Sequence, residues 1–407
     1  MRLTYEQLQE IMKQEKCTKI WSWSKWNCFH NSMYEYYLKY IRHAKEDRAN
    51  SIYTTTGGIA HDILEKFYTK QITFEQMIEL FEDGWLTAFE IADLKFDRND
   101  EAHNKKIAEG YYNNLQHFFT NHVPLKYAPM IEQFVKIKIG ENLFQGYIDL
   151  CFKDSNNKIN IIDFKTSSIY TGKKAEQECG QLVLYAIGLI QQGIPVERIR
   201  IAWNFLKYCS IQYQQANGET KVRNVERCKI GESLQANAKV WLKKCGYADD
   251  MDEYLKDLLD TNSISALPQE VQEKYVISDC YVYLDNLEQL ITKWTEIIEN
   301  QIEDILIREK EYYDMKASGV DEETCSKEFW DSEESVKAQS YYYSTLCSYS
   351  PSLLLPYKAY LDKMEQEKDA ANVFGSVGES ASAVTVSTTT TTANNVDGID
   401  LSWLDSI

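Results

Sequence analysis

The feature that most constrains this chain is a pair of strand-forming runs joined by a polar turn. Phe144 to Phe152 is dense in aromatic and β-branched residues, and Lys158 to Phe164 answers it across Lys153-Asp-Ser-Asn-Asn157. This pattern predicts an antiparallel hairpin. The hairpin also carries charge that packing does not require: Asp149 in the first run, then Asp163 and Lys165 in the second. Side chains alternate along a strand, so Asp163 and Lys165 are expected on one face, with Asp149 across from them. Two carboxylates converging on one point suit a hard divalent cation, and a lysine beside it can hold or deprotonate a water. An aspartate on a strand is ordinarily a solvated edge residue, so the flanking segments decide.

Upstream, Thr54-Thr-Thr-Gly57-Gly58 leads into Ile59, Ile63, Leu64, Phe67 and Tyr68, an apolar stripe at helical spacing. The threonines are expected to cap that helix. His61 and Glu65 stand one turn apart and can share a face. Downstream, Glu178 to Leu189 reads as a largely apolar helix that carries Gln181 and Tyr185, also one turn apart. A buried Gln-Tyr pair needs hydrogen-bond partners, either in a core network or at a site.

Gly57-x3-His61, Gly146-x-x-Asp149, Asp163-x-Lys165-Thr166 and Gln181-x3-Tyr185, in that order, resemble the motifs of the PD-(D/E)xK nucleases. The resemblance is to the RecB-type branch, which includes CRISPR-associated RecB-like exonucleases and related phage proteins. The run Ser22 to Tyr40, rich in Trp and Tyr, looks like that branch's opening helix. The likeness covers roughly residues 20 to 210. It implies an α/β fold with a restriction-endonuclease-like core (αβββαβ, mixed central sheet) and N- and C-terminal helical additions. By the same resemblance His61, Asp149 and Asp163 would bind Mg²⁺ or Mn²⁺, with the backbone carbonyl of Phe164 as a further ligand. Lys165 would orient and activate the attacking water, while Gln181 and Tyr185 would position the lysine or the substrate strand. Histidine in the donor set tilts the site toward Mn²⁺. Glu65 and Glu132 are lesser candidates, read first as a surface ion-pair residue and a solvent-facing strand residue.

The implied reaction is hydrolysis of DNA phosphodiesters, with an exonuclease acting on ends or single strands in recombination, repair or phage DNA processing as the first reading. A structure- or sequence-specific endonuclease is the alternative from the same core. A non-catalytic scaffold that recruits partners by its tail is a third. No Gly-x4-Gly-Lys-Ser/Thr loop occurs, so a helicase function would belong to a partner.

Many nucleases of this branch hold an iron-sulfur cluster on one early and three late cysteines. Cys28 and Cys347 resemble two of those positions, but Cys325 and Cys347 are isolated and no cysteine follows. No iron-sulfur cluster is therefore expected, and Cys28 and Cys347 read as small buried apolar residues. The ten cysteines form no CxxC pair, and the opening Met1 to Glu10 reads as an amphipathic helix rather than a leader. A cytoplasmic setting is expected, bacterial if the chain is phage-encoded, without a membrane span.

A net charge of −18 looks wrong for a DNA-binding chain until it is located. Residues 101–250 carry 20 Lys+Arg against 15 Asp+Glu, while residues 251–350 carry 8 against 23. An acidic exterior would confine DNA to a local basic groove, with Lys173-Lys174 and Lys221 through Lys229 as groove candidates. Expected divisions are an N-terminal helical segment (1–50), a nuclease core (51–225), an acidic, mainly helical region (226–372) and a Ser/Thr-rich linker (373–407). The linker ends in Val396 to Ile407, an acidic-hydrophobic tip expected to dock on a replication or recombination protein.

Overall fold

The computed structural model describes residues 3–49, 51–331, 336, 337 and 339–376. Seven strands form one mixed sheet among them: β1 (Ile20–Ser22), β2 (Pro129–Ile139), β3 (Asn142–Lys153), β4 (Ile159–Lys165), β5 (Ile199–Gln214), β6 (Thr220–Glu226) and β7 (Tyr275–Tyr283). The expected hairpin is β3 and β4, antiparallel with Leu150 opposite Ile162. β4 then runs parallel to β5, which places Asp163 beside Trp203 and Lys165 beside Phe205. A parallel pair needs a crossover, and an apolar helix between the two strands provides it.

The longer helices include α1 (Tyr5–Gln14), α2 (Ile52–Tyr68), α3 (Phe74–Trp85), α4 (Glu101–Thr120), α5 (Gly180–Gln191), α6 (Ile230–Lys244), α7 (Met251–Thr261) and α8 (Leu287–Ala317). α1 opens on a reciprocal cap between Thr4 and Gln7. Ser51, not the threonines, caps α2; Thr54, Thr55 and Thr56 lie inside its first turns. A serine hydroxyl already satisfies a free N–H there, so the helix starts earlier than the threonine run suggested. Apolar faces of α2, α3 and α4 pack on one side of the sheet through Leu150, Ile162, Ala202 and Leu206. α5 lies against β2 on the other side, where a side chain on Gly188 would collide with Val135. A second core forms where the far half of β5 meets α6 and α7 around Ile211, Leu234 and Leu258.

Two compact units share the chain: Met1–Trp23 with Ser51–Asn300, and Ser24–Asn50 with Gln301–Ile407. The first contains the whole sheet. The opening run does not make one helix: Ser22 ends β1, Trp23–Asn31 is helical, and Ser32 then caps a new turn at Met33–Tyr36. In the second unit Trp330 stacks on Tyr37 and packs on Tyr36 and Tyr312. Cys347 is fully buried there, with its thiol pushed up to about 12 by burial.

No helix among the described residues is long and apolar enough to cross a membrane. The expected linker and docking tip lie, from residue 377 onward, outside the described residues.

Candidate active site

The site forms where the sheet splits. On one edge β3 pairs with β1 as far as Gln145 and with β4 only from Leu150. Among the described residues, Gly146 to Asp149 therefore have no strand partner on that edge. The freed N–H of Phe164 donates instead to the Asp149 carboxylate, at 2.9 Å from Oδ2. This bond ties Asp149 to the strand that carries Asp163 and Lys165.

His61, from α2, completes the wall. Its Nε2 lies 2.9 Å from the Phe164 carbonyl and its Nδ1 lies 3.5 Å from Asp149 Oδ2. Both ring nitrogens thus face oxygen acceptors, which favours the doubly protonated ring. Burial works against that charge, but the Asp149 carboxylate outweighs it and raises His61 to about 9. Reciprocally, burial opposes ionisation of Asp149, while His61 and the Phe164 N–H hold the carboxyl below its ordinary range.

Asp163 and Lys165 share the expected face, with Lys165 Nζ 2.7 Å from Asp163 Oδ2. Burial lifts Asp163 most and Asp149 adds to it; Lys165 offsets part of the rise, leaving the carboxyl at about 6. Burial disfavours the charged lysine, yet Asp163 holds Lys165 above the usual lysine range. In this arrangement Lys165 is an ammonium donor.

On α5, Gln181 Nε2 donates to the Tyr185 hydroxyl at 2.9 Å, so the two share the face their spacing implied. Tyr185 is buried against β3 at Gly146. A Cβ there would stand 2.5 Å from Tyr185 Cε1, closer than any real contact. Glycine at 146 leaves the room the Tyr185 ring occupies against the strand.

Once His61 gives up a proton, the donor types suit a hard divalent cation. His61 faces Asp149 and the Phe164 carbonyl, while among the described residues Asp163 Oδ2 meets Lys165 without a hydrogen bond of good geometry. Among the described residues no three His, Cys, Asp or Glu side chains close to metal-ligand geometry. Asp163 is drawn to Lys165, and Asp149 to His61 and the Phe164 N–H.

The lesser acids differ. Glu65 is half-buried one turn past His61. Glu132 stands where the β2 register passes from Ile131–Leu150 to Gln133–Ile148, beside Asp149, with φ at 48°. A left-handed backbone on a glutamate costs about 1–3 kcal/mol and is often found at functional sites. The regular strand expected at Glu132 is thus interrupted, and nothing local to its sequence signals that.

Two neighbours escaped the sequence reading. Tyr170 packs edge-on against Trp203 and Phe205, with Lys174 Nζ 5.0 Å above its ring. Lys207 is 7% exposed in the middle of β5. Neither lies in a recognisable spacing. Of the expected groove lysines, Lys221 is exposed on β6, whereas Lys229 is engaged by Glu226 at 2.5 Å.

A family model described as the PD-(D/E)XK nuclease superfamily matches residues 20–325. No curated protein matches the chain.

Proposed function

The chain belongs to the PD-(D/E)XK nuclease superfamily, and from that premise we propose that it is a divalent-metal-dependent DNA exonuclease of the RecB-like branch. The observation that carries the reading is the meeting of His61, Asp149, Asp163 and Lys165 at the split between β3 and β4. His61, Asp149, Asp163 and the Phe164 carbonyl would hold Mg²⁺ or Mn²⁺. When bound, the ion supplies Lewis acidity at the phosphoryl oxygen and lowers the pKa of a water. Lys165, kept charged by Asp163, orients that water with its N–H donors. The Asp149–Phe164 bond holds the two strands together so that the acids and the lysine keep their separation. Gln181 and Tyr185 form the opposite wall and position the lysine or the scissile strand.

Residues 51–225 are the catalytic core in this reading, and the setting is a bacterial cytoplasm with the enzyme phage-type. Recombination, repair or phage DNA processing would supply its ends and single strands. The acidic-hydrophobic terminus, Val396 to Ile407, is proposed as the docking peptide for a replication or recombination protein.

Incubation with Mg²⁺ or Mn²⁺ on labelled linear single-stranded, linear duplex and covalently closed circular DNA tests the proposal. Digestion of linear DNA alone is the expected result. Cutting of closed circles would establish an endonuclease instead. Absence of cleavage on every substrate, indistinguishable from Lys165→Ala, would leave the scaffold reading.

A further inference from the structure

Strand β5 is interrupted just past the catalytic face. Its pairing with β7 jumps from Asn204–Tyr281 to Cys209–Asp279, so Phe205 to Tyr208 stand opposite Cys280 alone. On its other edge β5 pairs with β4 up to Phe205 and with β6 from Tyr208. Leu206 and Lys207 therefore face a gap there. β4 ends at Lys165 and β6 at Glu226, so two strands deliver their carboxyl ends to this gap.

Bulges re-aim side chains, and this one turns Lys207 toward α4, with Nζ 3.4 Å from the Tyr111 ring centroid. The side chain is 7% exposed. Among the described residues it has no ion pair or hydrogen bond; Glu226 and Cys228 act on it only at a distance. Lysine is almost never buried to this degree without a counter-ion. Burial accordingly pushes its ammonium down to about 7. Tyrosines lie between the gap and Lys165. Tyr170 lies within electrostatic reach of Lys165, and Tyr111 within reach of Tyr170 and Tyr208. Tyr208 is hydrogen-bonded to Ser168 on the loop that leaves β4.

We propose that Lys207 is a backbone-phosphate contact for the DNA strand, taking the phosphodiester next to the one that is cut, in the gap between the ends of β4 and β6. This rests on the nuclease reading. The tyrosine face holds the ammonium in place, and the phosphodiester is the counter-ion that the described residues do not provide. The site takes a strand phosphate without reading a base, so it adds affinity without sequence preference.

Binding of a labelled single-stranded oligonucleotide is measured by fluorescence anisotropy in EDTA, across a salt series, for the wild type, Lys207→Met and Lys207→Arg. Lys207→Met is expected to bind several-fold more weakly, with the slope of log affinity against log salt reduced by about 0.7, one phosphate contact on a single strand. Lys207→Arg should restore the slope. Lys207→Gln serves the same purpose should the methionine variant not fold. Unchanged affinity and slope in a folded neutral variant would overturn the assignment. Inorganic phosphate displacing the strand from the wild type but not from Lys207→Met at constant ionic strength would support it, since free phosphate would then compete with the strand for the same contact. A wild type that neither cleaves nor binds DNA defeats the nuclease reading and this inference with it. Cleavage by the wild type with unaltered binding by Lys207→Met defeats this inference alone.

Discussion

Lys165 Nζ lies 2.7 Å from the Asp163 carboxylate, and each sets the other's charge: the lysine is held protonated while the buried acid stays near 6. Removing the lysine leaves a carboxyl whose partner has gone. Lys165→Ala is expected to lower cleavage by about 10²–10⁴-fold, the usual range for a positioned proton-handling group. Stability should fall by about 1–3 kcal/mol, less than the full cost of a broken buried pair because Asp163 can take up a proton. Adding Asp163→Asn should recover part of the melting temperature and none of the activity. Equal activity of Lys165→Ala and wild type in a gel cleavage assay would remove the lysine from the mechanism.

Gly146 and Tyr185 make a size-matched pair. Gly146→Ala puts a methyl 2.5 Å from the Tyr185 ring, an overpacking expected to cost about 1–3 kcal/mol. Because the ring must also move away from Asp149, cleavage should fall more than the thermal shift alone accounts for. The double variant Gly146→Ala/Tyr185→Leu should regain stability but not activity. Recovery of both would show that the tyrosine only fills space.

Lys207 gives stability a pH dependence with a definite sign. Its folded pKa is near 7 against an ordinary 10.5, and Tyr111, Glu226 and Cys228 are the groups that face it. Between these values the unfolded chain binds more protons than the folded one, so stability rises with pH across that window. The cost of the buried charge is fully present below pH 7, on the order of 3–5 kcal/mol from the size of the shift. Lys207→Met should therefore be more stable than wild type at pH 6.5, with the gap shrinking by pH 9.5. Urea midpoints at the two pH values check this, and a pH-independent gap would contradict it.

Cys347 is fully buried in the second unit, with a thiol pushed up to about 12. Cys347→Ala is expected to cost about 1 kcal/mol, an ordinary core truncation, and to leave the cleavage rate unchanged. A brown, iron-containing preparation that loses its colour in this variant would show a metal role instead.

The local half of the site was legible in the sequence. Asp163 and Lys165 share a face because strand side chains alternate, and Gln181 and Tyr185 share one because a helical turn brings them together. Turn chemistry in Lys153 to Asn157 was enough to pair β3 with β4, and the order of motifs was enough to identify the fold class. The threonine run does not mark the start of α2, because Ser51 competes with it for the same cap and only the chain's approach to the helix selects among them.

What the tertiary structure decided is what depends on contacts between distant segments. Whether His61 reaches Asp149 and the Phe164 carbonyl depends on how α2 packs over the open edge of β3. The need for glycine at 146 becomes visible only with Tyr185 in place. The left-handed turn at Glu132 and the β5 bulge that redirects Lys207 carry no local signal, because both arise from strand pairings that must be reconciled around one sheet. Periodicity specifies which side chains travel together along an element. Pairing and packing across the sheet specify which of them meet.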